Sequence, residues 1–393
     1  MPGALAFSSV GALARLPQAM VGLGAVMMIT SLGGSYTVAG AVAGAISLSQ
    51  GLLAPQVSRL ADRLGQARVL APQALANVTA LLALVIAAYR QAPAAALIGL
   101  GVAVGVSVPQ IGALTRARWT ALLRGDQRLD TALAVESLIE EAIFVIGPVL
   151  VVAATTAIAP GAGLLIAAAV VAVGCGLFLA QRSTEPAAQP DGHGGRRVRA
   201  TSHPALWVLI AVFLSIGALF GFIEVGVVAL TRELERPDVS GAMLAAWAGA
   251  SLISGVVYGG QTWRTHTRGR FLRGVAAMAA GSVLVAACTS SLTLATAALV
   301  VAGVANAPTL IAGNTLVATV IPGHAVTEAY TWLGVTIPAG IAVGAPIGGA
   351  LIDTTGADAA LWAATGAGVV ALAAAFAGRH HLSTTPAATP PPL

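Results

Sequence analysis

Three carboxylates, Glu136, Glu140 and Glu141, interrupt a run that is otherwise apolar: Ala134-Val135-Glu136-Ser137-Leu138-Ile139-Glu140-Glu141-Ala142-Ile143-Phe144-Val145-Ile146-Gly147-Pro148. At ~100° per residue on a helix, Glu136 and Glu140 fall ~40° apart on one face, with Glu141 about 100° further round. Two acids so close cannot both ionise cheaply, and removal from water acts in the same direction, so one of the pair is expected to hold a proton near neutrality. That chemistry suits reversible proton binding, and a cationic ligand would compete for the same charge. The structural alternative is that Glu136 pairs with an arginine such as Arg128. Glu224 is the other deeply placed acid; it either lines an outer cavity or pairs with Arg232 or Arg236. Gln110, Asn306, Trp247 and Trp332 are interior polar or aromatic residues suited to contact a substrate, although helix packing is the commoner role of such residues.

The elements that must position these groups are set by where charge is missing. No charged residue occurs between Arg15 and Arg59, and comparable silent stretches recur to the C-terminus. About 20 apolar residues cross a bilayer core as a helix, the structure that satisfies every backbone polar group within one segment. Leu16 to Ser58 is long enough for two helices, divided at Gly33-Gly34-Ser35, and Val69 to Tyr89 and Gln91 to Thr115 supply two more. Asp130 to Gln181 holds a fifth and sixth, divided near Pro160-Gly161. Beyond a polar stretch from Arg182 to His203, Pro204 to Thr231 and Val239 to Trp263 are the seventh and eighth. Gly274 to Gly323 holds two, divided near Ser290-Ser291, and Ala329 to Ile352 and Ala359 to Gly378 complete twelve. The chain is thus read as an all-α membrane protein with a six-helix half over 1–181, a linker over 182–203, a second six-helix half over 204–378 and a disordered tail over 379–393.

Composition agrees: 57% of residues are hydrophobic and 9% charged, which could not present a soluble surface. The net charge of +5 is read by its location and not as affinity for nucleic acid. With both termini in the cytoplasm, seventeen of the twenty arginines fall inside and only Arg90, Arg232 and Arg236 outside. The first helix is expected to stay as an uncleaved anchor, and Cys175 and Cys288, both inside spans, to form no disulfide. Gly99, Gly101 and Gly105 lie wholly within an apolar span, which rejects a nucleotide-binding reading. Gly340, Gly344 and Gly348 form a stripe that lets a neighbouring helix approach closely and slide. No G-x-x-x-x-G-K-[ST], H-E-x-x-H or G-x-S-x-G occurs, so neither an ATP-driven pump nor a membrane enzyme is indicated, and no cofactor or metal site is expected.

An offset of 198 residues lays Asp130 on Glu328 and Pro148 on Pro346, making the fifth and eleventh helices counterparts in two pseudo-symmetric halves. Substrate sites in such repeats lie between the halves near the bilayer midplane. After the second helix the chain reads Ser58-Arg59-Leu60-Ala61-Asp62-Arg63-Leu64-Gly65-Gln66-Ala67-Arg68. Gly65 permits a tight turn, and Asp62 can accept hydrogen bonds from neighbouring arginines or from the amino end of another helix. The segment resembles motif A of the major facilitator superfamily, G-x-L-a-D-R-x-G-R-R/K, with Asp62, Arg63, Gly65 and Arg68 in register; Ser58 replaces the opening glycine and Gln66-Ala67 interrupt the basic end. Arg264 to Arg273 is a looser copy after the eighth helix.

The resemblance implies that Asp62, Arg63, Gly65 and Arg68 form a cytoplasmic gate, joined by Glu328 at the start of the eleventh helix. Gly147-Pro148 resembles the core of G-P-x-x-G-G in drug:proton antiporters, with the trailing glycines missing, and would bend the fifth helix. Unlike that subgroup, the chain has no arginine within Gln91 to Thr115 and no acid in the first helix, which moves proton coupling onto the fifth-helix acids. The expected function is proton-coupled export of a hydrophobic or cationic small molecule by alternating access, by a monomer in the bacterial cytoplasmic membrane. The alternatives are proton-linked uptake of a metabolite, or a receptor or lipid-handling protein on the same fold.

Overall fold

The computed structural model describes residues 4–123, 128–186, 200–261, 263, 265–321 and 326–382, and every regular element among them is helical. Twelve helices are long and apolar enough to cross a membrane: Ala6–Ser31, Tyr36–Ala61, Gln66–Tyr89, Ala94–Leu122, Leu138–Ala157, Ala162–Ala180, Pro204–Glu233, Pro237–Gly259, Thr267–Ala287, Leu292–Val320, Ala329–Thr355 and Ala357–Ala377. They are called the first to twelfth spans. The side of the membrane reached after the sixth span, where the linker lies, is the linker face, and the opposite side is the far face.

Several spans run past the arginine at which the sequence reading stopped them, the first and fourth furthest among the buried ones. The first span begins at Ala6, not after Arg15, and the fourth runs to Leu122, so it contains Arg116 and Arg118. Counting by charge-free stretches ended each span at its first arginine. Arg15 and Arg118 are held by protein partners inside the helical bundle, where a charge need not terminate a span, and the more exposed Arg116 is paired with Glu140. Removing Arg15, Arg116 and Arg118 from the loops still leaves the linker face the richer in arginine. At the other end of the ninth span, Cys288 lies just beyond the helix, as its C-terminal cap.

Three spans are broken. The first consists of Ala4–Arg15 and Pro17–Ser31, because Pro17 cannot donate to the preceding turn and opens a new helix. The fourth breaks between Val106 and Ile111, around Pro109, and the tenth between Gly303 and Asn306. Under the 198-residue offset, the breaks in the fourth and tenth spans fall at equivalent positions. The second, fifth and eleventh spans belong to long unbroken helices, Tyr36–Leu64, Arg128–Ala157 and Val326–Thr355, and each span is named below for its whole helix, so that Glu136 is on the fifth just before its membrane-length stretch.

The two sets of six spans meet along two seams. In the first, the second span lies against the eleventh: a Cβ on Gly44 would sit 2.9 Å from the Ala342 Cα, one on Gly51 2.8 Å from the Pro338 Cβ, and one on Gly40 would collide with the Ala345 carbonyl. In the other seam, a Cβ on Gly241 of the eighth span would meet the Pro148 carbonyl and, at 2.8 Å, Val152 of the fifth. Both seams start at the far face and reach mid-depth. The Gly340, Gly344 and Gly348 stripe serves a contact within one half, since it packs on Gly217, Ala218 and Phe222 of the seventh span. Gly101 and Gly105 likewise pack the fourth span onto Val42 and Ile46 of the second.

Candidate functional site

The fifth-span acids do not share a cavity. Glu136 is fully buried, and its carboxylate accepts hydrogen bonds from Ser8 Oγ (2.6 Å) and Trp119 Nε1 (2.9 Å) and pairs with the Arg15 guanidinium. Its arginine partner is therefore Arg15 of the first span and not Arg128. Arg15 also donates to the Gly11 carbonyl (3.2 Å), and Trp119 packs on Phe7 with ring centroids 4.9 Å apart. A carboxylate with three donors, one of them a guanidinium, is compensated where it sits, which suits a structural brace among the first, fourth and fifth spans. Glu140 pairs with Arg116 (2.5 Å), and both side chains are over a third exposed. Glu141, half-buried beside Glu140, has no partner among the described residues.

The motif A segment is helical up to Leu64, and the turn it implies is a single residue, Gly65, at φ +94°, a backbone conformation that favours glycine. The side chains of Asp62 and Glu328 lie outside the described residues, and those of Arg63 and Arg68 are exposed. Of the three residues that depart from the motif, Gln66 and Ala67 have defined partners. Gln66 is buried, donates to the Leu114 carbonyl (3.2 Å) and accepts from Arg118 Nε (2.9 Å). Ala67 N donates to Glu185 (2.9 Å) from the start of the linker. Arg118 is 2% exposed, stacks 3.9 Å over the Phe178 ring and donates to Thr184 Oγ1 and the Gln181 carbonyl, each at 2.9 Å. This clasp ties the fourth span, the motif turn and the end of the sixth span together. Its only sequence signal was the glutamine standing where the motif has a basic residue.

Gly147 and Pro148 stand where the fifth span touches both neighbours at the seam: a Cβ on Gly147 would lie 2.6 Å from that of Ala19, and the Pro148 carbonyl faces Gly241. At the far face, Arg232 donates to Ser31 Oγ (3.0 Å) across the seam, and Arg236 pairs with Asp238 (3.0 Å). Neither arginine is therefore the partner of Glu224. The Glu224 Oε1 atom lies 3.8 Å from where Gly22 of the first span would carry a Cβ, and no hydrogen bond or ion pair engages it among the described residues. One turn earlier on the seventh span, Phe220 packs edge-on against Trp247 of the eighth, ring centroids 5.2 Å apart, and the buried Trp247 Nε1 has no acceptor. Glu224 thus faces the first span, and the Phe220–Trp247 ring pair, with its free indole N–H, lies one turn away on the same half.

Other sequence candidates lie apart from this stretch. Gln110 caps the second segment of the fourth span and donates to the Val108 carbonyl (3.0 Å). Asn306 opens the second segment of the tenth span, where Ser251 Oγ accepts from Ala307 N (3.2 Å) a bond that the broken helix cannot make. Trp332 is 43% exposed. Among the described residues, no group of three or more His, Cys, Asp or Glu is placed to hold a metal ion.

A family model described as Major Facilitator Superfamily matches residues 7–286. No curated protein matches the sequence. Among solved structures, the chain is similar to a mutant form of the nucleoside transporter NupG (TM-score 0.76, 16% identity, covering 95% of this chain and 99% of that one). It is also similar to a bacterial homologue of the iron transporter ferroportin in an inward-facing state (0.72, 15%, 95% and 99%). A third match is a bacterial homologue of the human lysosomal transporter Spinster, inward-facing and unoccupied (0.73, 15%, 98% and 98%). At these identities the likeness is one of fold.

Proposed function

The chain belongs to the Major Facilitator Superfamily, a family of membrane transporters, and within it we propose that this protein exports a hydrophobic, cationic small molecule in exchange for protons. The observation that carries the reading is Glu224, a carboxylate between the halves with no described cationic partner. Away from water an uncompensated acid is costly, and two ligands relieve it: a proton or a cation. They exclude one another, so a single carboxylate reached alternately from each side couples their movements. The rings of Phe220 and Trp247 beside it suit a cation with an apolar or aromatic body. Glu136 and Glu140 are already neutralised by Arg15 and Arg116, which moves the coupling role from the fifth span to the seventh. Glu141, without a described partner, is a secondary proton site.

The excess of arginine on the linker face supports a cytoplasmic linker and termini in a bacterial inner membrane, with the protein acting as a monomer. Export is the direction favoured by the partial antiporter signature, Gly147-Pro148, at the seam. The test is ethidium retention in an efflux-deficient host, with and without a protonophore. The wild type should lower retention only while the proton gradient stands. Glu224→Gln should abolish that effect at unchanged protein level, and Glu140→Gln should leave most of it. Gradient-driven efflux that survives in Glu224→Gln would sink this assignment.

A further inference from the structure

Asp353 lies in the last turn of the eleventh span, which ends at Thr355. Its carboxylate crosses the seam to the start of the second span: Oδ1 accepts from Tyr36 N (2.9 Å), and Oδ2 accepts from Thr37 N (2.8 Å) and Thr37 Oγ1 (2.6 Å). The first amides of a helix lack intrahelical acceptors and concentrate positive partial charge, so an acid placed there is both hydrogen-bond partner and counter-charge. Ser35, the residue that caps this helix from its own chain segment, accepts only from Val38 N (3.2 Å). The cap on a helix of the first half is therefore completed by a residue of the second.

The surroundings keep that acid in place. Gly349, one turn before Asp353, lies against the Tyr36 carbonyl with no room for a side chain. Glu233 accepts from Ala357 N (2.8 Å) and so pins the turn that follows Asp353. Arg232, the other bond across this face, ends on Ser31, and Asp238 is taken by Arg236. Among the described residues, Asp353 is the acid that bonds across the seam.

When the halves part at the far face, all three of its bonds are lost together. A set of bonds that exists in one state and not in the other biases the equilibrium between them. We infer that Asp353 is the latch of the far gate, a gating residue that sets how often the carrier opens to the far compartment. Water replaces part of what is lost at an exposed site, so removing the charge should raise the far-open population about tenfold and not wholly invert it.

The test reads opening without needing a substrate, so its outcome is independent of the proposed export. In full-length protein carrying Cys288→Ala, a reporter thiol replaces Met27, which is 3% exposed at the far-face seam. Native Cys175, 1% exposed within the first half, is kept as an internal reporter of unfolding. Alkylation by a charged maleimide should be about tenfold faster at position 27 in Asp353→Asn, with Cys175 unreactive throughout. Asp358→Asn, an acid on the same face with no described bond across the seam, should leave the rate unchanged. Equal rates in Asp353→Asn and its parent would overturn the latch. So would an equal acceleration by Asp358→Asn, which would assign the effect to surface charge, or joint reaction of both thiols, which would make the carboxylate a support of the fold.

Discussion

Removing one member of a buried ion pair costs about 3–5 kcal/mol, because the other charge is left without compensation. Arg15 and Glu136 are such a pair, with side chains 1% and 0% exposed. Arg15→Ala should therefore lower the thermal stability of the purified protein severely, and Glu136→Gln less so, since Ser8 and Trp119 can still donate to its amide oxygen. One Arg15 nitrogen, Nη1, finds no acceptor, so the pair is imperfectly satisfied, and the double replacement Arg15→Met with Glu136→Leu should recover most of the loss. Unfolding in detergent, followed by light scattering against temperature, checks the order; a double variant no more stable than Arg15→Ala would contradict it. The sequence singled out Glu136 by its type and depth, yet an acid that binds protons and an acid that braces three helices look alike in one dimension. The difference lies in Arg15, more than a hundred residues away, which charge counting assigned to a loop. Glu224 is the converse case: two arginines follow it closely in sequence, and in space both are engaged elsewhere.

At the scale of helices, glycine positions decide which pairs of spans approach closely, and hydropathy says nothing about which partner each stripe will meet. The regular stripe at Gly340, Gly344 and Gly348 was legible as a packing surface, but its partner is the seventh span of its own half, a static contact. The contact between the halves depends on Gly40, Gly44 and Gly51 of the second span, whose spacing is less regular. These two kinds of glycine should respond differently to a side chain. Leucine at Gly344 would collide with Ala218 in either transport state and should destabilise the fold. Leucine at Gly44 would meet Ala342 only when the far face is closed, and so should favour the far-open state. A thiol at position 27 should then react faster in Gly44→Leu with little change in unfolding temperature, whereas Gly344→Leu should lower that temperature. The helix breaks were visible in the prolines: Pro17 and Pro109 stand at two of them, and Pro308, which cannot donate to the carbonyl four residues back in the gap, at the third, where Ser251 of a neighbouring span takes up the Ala307 amide.

For the whole molecule, the helical fold and the count of twelve membrane-length helices followed from the spacing of charge, because a bilayer restricts chains of this composition to few solutions. Which face is closed did not follow, since it is a property of contacts between halves and not of any segment. The described contacts across the seams run from the far ends of the spans to mid-depth, so under the proposed alternating access they are made and broken once in each cycle. A covalent link there should arrest the carrier. Thr37 and Asp353 already touch side chain to side chain (2.6 Å), which makes them the pair to replace with cysteines in a background without Cys175 and Cys288. Before oxidation the double variant should retain gradient-driven transport, with the weakened far gate expected of any change at Asp353. After oxidation, transport should stop, and a reductant should restore it. Ethidium accumulation in everted membrane vesicles energised by a proton gradient measures all three stages. Undiminished accumulation with the link shown by mass spectrometry to be complete would mean that the second and eleventh spans need not separate, and transport would then have to proceed without opening this seam.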